Sequence, residues 1–135
     1  MPLKIKKGVK ELVAEANAEI QTITARDALK LKDDPNALLV DLRDIRELTR
    51  DGRVPGAFHA PRGMLEFWVD PESPYYKEIF GSGKKFVFFC AGGMRSALAA
   101  QAVQRMGLEP VCHIEGGFRA WKEAGGPVES ANKES

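Results

Sequence analysis

The chain alternates between two kinds of hydrophobic pattern. Val9, Leu12, Val13, Ala16 and Ile20 recur at helical spacing and predict an amphipathic helix over residues 8–20. Residues 20–23 read as a short edge strand. Thr24, with Asp27 three positions on, resembles a capping box that opens a helix over Ala25–Lys32. After the Asp34-Pro35-Asn36 turn, Ala37–Leu42 is a compact apolar run, the mark of a buried strand. Ile45–Arg50 predicts a short helix, and Ala57–Ala60 a brief strand. Residues 64–83 are irregular, with two aromatic clusters (Phe67 and Trp68; Tyr75, Tyr76 and Phe80) around a proline-containing break. Lys85–Phe89 is the strongest strand. Ser96–Met106 predicts a helix ended by Gly107. Pro110–Ile114 predicts a last strand and Phe118–Ala124 a last helix. Strands that alternate with helices imply an α/β domain with a mainly parallel sheet covered on both faces. In such sheets the functional crevice lies beyond the carboxyl ends of the strands. Asp41, Arg43 and Cys90 all map there.

Composition narrows the reading. At 135 residues the chain suits one domain, with 44% apolar and 29% charged residues. The expected organisation is a helical extension over 1–19, the α/β domain over 20–127 and a flexible tail over 128–135. A formal net charge of +1 argues against a polyanion footprint, so no nucleic-acid partner is expected. No run of 18 apolar residues occurs, so no membrane partner is expected either. The basic start lacks a signal-peptide core, which makes the cytoplasm the expected location. Two cysteines, Cys90 and Cys112, exclude a disulfide-rich scaffold. With only two histidines beside them, a zinc site is disfavoured, and no cofactor or metal is expected.

One loop concentrates the chemistry. Cys90 stands between the strongest strand and a helix. Gly92 and Gly93 let backbone amides converge without side-chain obstruction. The following helix adds its positive end and Arg95 adds a guanidinium. These conditions favour a thiolate and hold an anion beside the sulfur. A buried cysteine beside glycines that only form a turn is the plainer alternative. The spacing of Arg95, which can bring its head back over the loop, favours function. His59 and His113 read as packed or surface imidazoles, so activation is expected to be electrostatic. Cys112, inside a strand, reads as a small buried hydrophobe.

Four segments taken together resemble the single-domain rhodaneses. They are Leu39-Val40-Asp41-Leu42-Arg43, Gly52-Arg53-Val54-Pro55-Gly56-Ala57, the Cys90–Ser96 loop, and Glu115-Gly116-Gly117-Phe118-Arg119-Ala120-Trp121. The resemblance implies a three-layer domain around a central five-stranded parallel sheet. It implies that Cys90 takes sulfane sulfur from a small anionic donor such as thiosulfate and passes it to cyanide or a thiol. Amides of Ala91, Gly92, Gly93, Met94 and Ser96 would cradle the persulfide and donor oxygens. Arg95 would orient the donor and Arg43 would contribute to an anion-friendly entrance. Asp41 and Glu47 would be supporting residues, and Arg53 stands where the family often carries His. Relay of persulfide sulfur to a protein thiol is the alternative. Phosphatases of the same fold resemble this chain less. They place five residues between Cys and Arg and a His before the Cys. Here four residues, Ala91 to Met94, separate the pair, and Phe89 precedes Cys90. Residues 64–80 read as a satellite core, or else as a rim that selects an acceptor.

Overall fold

A computed structural model of the chain describes residues 2–131. Five strands form one sheet: β1 (Gln21–Ile23), β2 (Ala37–Asp41), β3 (Phe58–His59), β4 (Lys85–Phe89) and β5 (Val111–Ile114). Their order is β1-β5-β4-β2-β3 and every pairing is parallel. The helices are α1 (Val9–Glu19), α2 (Ala25–Leu31), α3 (Ile45–Asp51), α4 (Leu65–Val69), α5 (Met94–Met106) and α6 (Gly117–Glu123). No helix among the described residues is long and apolar enough to cross a membrane.

Strand alternation sends side chains to two separate cores. Val40, Phe86, Phe88 and Val111 point to one face, where Ala16 and Ile20 from the α1 end and Ala97, Ala100 and Val103 of α5 pack against them. Leu39, Val87, Phe89, Cys112 and Ile114 point to the other, under Ala25 and Ala28 of α2 and Phe118 and Trp121 of α6. The result is the expected three-layer α/β architecture. The central strands are buried on both faces, which is why their sequences are continuously apolar instead of alternating.

Several local expectations shift. The stripe predicted for α1 is only half used: Ala16 is buried, while Val9 and Leu12 are exposed. Residues expected to form a free tail from position 128 are partly held, because Arg53 and Glu129 exchange backbone hydrogen bonds of 2.8 and 2.9 Å and their side chains form an ion pair. The rest of that tail, residues 132–135, lies outside the described residues. In the irregular segment, Phe80 is buried and packs on Phe86 with ring centroids 5.3 Å apart, while Phe58 meets Trp68 and Phe80 edge-on. Phe67 and Tyr75 remain exposed. The segment therefore extends the core beyond the β3 edge.

Candidate active site

β4 runs into Cys90 and the chain then turns through Ala91, Gly92 and Gly93 into α5. That helix starts at Met94, two residues earlier than its apolar pattern suggests, so Arg95 and Ser96 occupy its first turn. Gly93 precedes it at a φ of 109°, a region costly for any residue with a Cβ. The turn aims free amides inward: Gly93 N donates to Cys90 Sγ at 3.1 Å and Ser96 N at 3.4 Å. Cys90 is 1% exposed, so these donors meet a sulfur largely shielded from water. Such donors stabilise negative charge on sulfur more than a neutral thiol.

The carbonyls of the same turn are drawn the other way. Phe118 N donates to Cys90 O at 2.8 Å and Arg119 N to Ala91 O at 3.2 Å. These two amides belong to the first turn of α6, where no intrahelical partner exists for them. The Gly116-Gly117 pair allows this close approach, with φ of 77° and 59°. The two glycines are thus what separates the loop's amides from its carbonyls.

Arg95 reaches Glu47 of α3 in a bidentate pair of 2.8 and 3.0 Å. Glu47 is itself fixed by the capping box of α3, where Asp44 N donates to its Oε1 at 2.9 Å. The hydrogen bonds from Arg95, and further the amide of Asp44, hold the Glu47 carboxyl below its usual pKa against the opposing effect of burial. The hydrogen bonds to Glu47, with a smaller contribution from Cys90, raise that of Arg95. Arg95 is therefore a permanent cation by the loop, with two of its N–H groups committed to Glu47.

Arg43 is placed differently from expectation. It is 1% exposed, and its Nε and NH2 engage both oxygens of Asp41 at 2.8–3.2 Å. NH2 also donates to Gly52 O at 2.9 Å, and the guanidinium lies 4.0 Å over the Phe118 ring. Its charge is paired with Asp41 within the fold, and it braces the end of β2 against α3 and α6. Asp41 is the matching half of this buried pair. Met94 projects outward, 48% exposed.

Two cavities flank Gly92. One, of about 320 Å³, is lined by Arg119, Lys122 and the ion pair of Arg50 with Asp51, besides Ala91, Arg43 and Phe118. Arg119 and Lys122 share a face of α6 by their three-residue spacing, a signal present in the sequence but not read there as part of the site. The other, of about 410 Å³, is lined among others by Asn17, Thr22, Met94, His113 and Glu115. No residue of 64–80 lines either cavity. His113 is 2% exposed, not a surface imidazole, and burial lowers its pKa. Cys112 is fully buried and free, its thiol pushed up to about 11 by burial, with a smaller opposing effect of Lys85.

The rhodanese-like domain model matches residues 24–124. A solved Rhodopseudomonas palustris protein, described as of unknown function and a "Possible Tyrosine Phosphatase", is 57% identical, with a TM-score of 0.92 over 96% of this chain and 99% of that one. The polysulfide-sulfur transferase homodimer of Wolinella succinogenes is 30% identical, with a TM-score of 0.68 over 93% of this chain and 89% of that one. A putative sulfurtransferase of Bacillus subtilis, YtwF, is 30% identical over 104 residues, 77% of this chain and 89% of that protein. Other curated relatives are longer: the chain spans 55% of a Synechocystis protein. Motif order, sheet order and the matched model agree, and the chain belongs to the rhodanese-like domain family.

Proposed function

We propose that the protein is a sulfurtransferase that carries sulfane sulfur on Cys90. The observation that carries this reading is the buried Cys90 sulfur facing the amides of Gly93 and Ser96, inside a loop with only four residues between Cys90 and Arg95. With thiosulfate as donor, the Cys90 thiolate attacks the outer sulfur. The donor S–S bond breaks, its electron pair leaves with sulfite, and Cys90 becomes a persulfide. Cyanide or an acceptor thiolate then attacks the terminal sulfur, and Cys90 departs as thiolate. The loop amides hold the negative charge at each stage. Arg95, held by Glu47, orients the anionic donor, and Arg119 and Lys122 make the neighbouring cavity attractive to anions.

The likeness to a polysulfide-sulfur transferase favours a second reading within the same chemistry. In it the persulfide is handed to a protein thiol and turnover with cyanide is slow. One experiment tests both. The reduced protein is incubated with thiosulfate or polysulfide, and intact mass and sulfite release are measured. A gain of one sulfur atom that disappears in Cys90→Ser is the expected result. No gain from any sulfane donor, in a folded protein that hydrolyses an aryl phosphate, would replace sulfur transfer by phosphoryl transfer.

A further inference from the structure

Behind the loop, four side chains, from the end of β4, from α5, from β5 and from α1, form one continuous chain of hydrogen bonds. The Cys90 thiol donates to Ser96 Oγ at 3.6 Å. Ser96 Oγ lies 2.8 Å from His113 Nδ1, and His113 Nε2 lies 2.8 Å from Asn17 Oδ1. Cys90, Ser96 and His113 are all buried. Asn17 Oδ1 can only accept, so Nε2 carries the hydrogen and the neutral ring presents Nδ1 as an acceptor. The Ser96 proton then points to Nδ1, a closer acceptor than Gly93 O at 3.3 Å, and an Oγ lone pair faces the thiol.

We propose that His113, held by Asn17, draws the thiol proton of Cys90 through the Ser96 hydroxyl and so prepares the thiolate. His113 acts through Ser96 and is a positioning residue. The S–H bond of Cys90 breaks and its proton passes to Ser96 Oγ. The proton already on Ser96 passes to His113 Nδ1. Afterwards the imidazolium donates to Ser96, Ser96 donates to the thiolate, and Nε2–H stays on Asn17. Cys90 Sγ and Ser96 Oγ, 3.6 Å apart at rest, close on one another as the proton crosses, and no other reactant is needed. Burial alone disfavours the imidazolium, and the thiolate formed at the other end of the chain offsets that cost.

Among the described residues that line the cavity at His113 there is no cation, and Arg95 stands instead on the loop beside Cys90. α1 contributes Asn17 and α5 contributes Ser96. The neighbouring strands contribute Thr22 and Phe88 at the paired positions. The cavity that His113 and Asn17 line contains one carboxylate, Glu115, and neither lysine nor arginine. Burial lowers the pKa of the ring. This also assigns a task to α1, which lies ahead of the matched family segment, because Asn17 belongs to it.

The idea rests on the sulfurtransferase reading for its purpose, but its test needs no sulfur donor. The rate at which iodoacetamide alkylates Cys90, located by peptide mass mapping, is followed from about pH 5 to pH 9, on either side of the ordinary histidine and thiol values. His113→Gln should move the profile to higher pH and slow alkylation near neutrality on the order of tenfold, the effect of one pH unit. Ser96→Ala should do the same, and the double variant should add nothing further. Asn17→Asp puts a carboxylate on Nε2–H, strengthens the imidazole as a base, and should move the profile to lower pH. Opposite shifts from two sides of one ring are not what lost packing produces. Profiles of His113→Gln and Asn17→Asp that superimpose on wild type overturn the proposal. If His113→Gln does not fold, an unmoved Asn17→Asp profile is sufficient to overturn it. If the profiles shift as stated and no sulfane donor loads Cys90, the relay stands and the sulfur-transfer reading fails.

Discussion

Gly117 packs directly against the backbone of Cys90. A Cβ at position 117 would overlap the Cys90 carbonyl oxygen and lie 2.8 Å from that of Ala91, and the residue also sits at a φ of 59°. Steric exclusion and backbone conformation thus demand glycine for the same reason: α6 must come close enough for its first amides to take the loop's carbonyls. Gly117→Ala should cost about 1–3 kcal/mol in strain. Its persulfide loading should fall by more than its thermal stability suggests, because the amides at sulfur lose their aim. Equal loading in the variant, measured by intact mass beside a melting curve, would mean that the loop holds its shape unaided.

Glu47 serves both the α3 cap and Arg95, and one substitution separates the two. Glu47→Gln keeps a side-chain acceptor for Asp44 N and so keeps the capping box. It removes the charge that fixes Arg95. The expected result is a thiosulfate KM raised by about tenfold, equivalent to about 1.4 kcal/mol, with little change in melting temperature. Arg95→Ala should cost more. A KM unchanged in both would detach Arg95 from donor orientation.

The cationic cavity beside Ala91 and Gly92 should act at longer range. Arg119→Glu and Lys122→Glu reverse charges that line it without touching the sulfur cradle. Loading from thiosulfate should slow by several-fold at low ionic strength, and the difference should shrink as salt screens it, over about 10 Å at 0.1 M. Alkylation by uncharged iodoacetamide should change far less. An equal loss with both reagents would indicate damage to the loop instead of weakened attraction of anions.

The layered fold was legible because its signals are local and mutually consistent. Ala37–Leu42 and Lys85–Phe89 are continuously apolar, as strands buried on two faces must be, and the Thr24 cap is present with Asp27 N donating at 3.1 Å. Cys90 stood out for the same reason, since its glycines and Arg95 lie within six positions. What was missed depends on long-range pairing. Arg43 looks like a free cation until Asp41, Gly52 and Phe118 close around it. His113 gains its place near Cys90 only because β5 lies beside β4 and because α1, about a hundred positions earlier in the chain, brings Asn17 to the ring. No periodicity within β5 encodes that contact.

The burial of His113 should also leave its mark on stability. Its folded pKa is lowered by desolvation, whereas in the unfolded chain it returns to about 6.5. Between those values the unfolded state binds the extra proton. Stability therefore rises with pH through that window, is fully present above about 6.5, and is lost as pH falls toward the folded value. The slope contributed by one proton is at most about 1.4 kcal/mol per pH unit. Glu47, with its folded pKa lowered by Arg95, acts in the same direction but in the carboxylate range, so its loss begins only at more acidic pH. Denaturant midpoints for wild type and His113→Asn should accordingly draw apart as pH falls below about 6.5, with the wild type losing the more stability. A constant offset between the two proteins across the whole range would mean that the ring takes up its proton in the folded state as readily as in water.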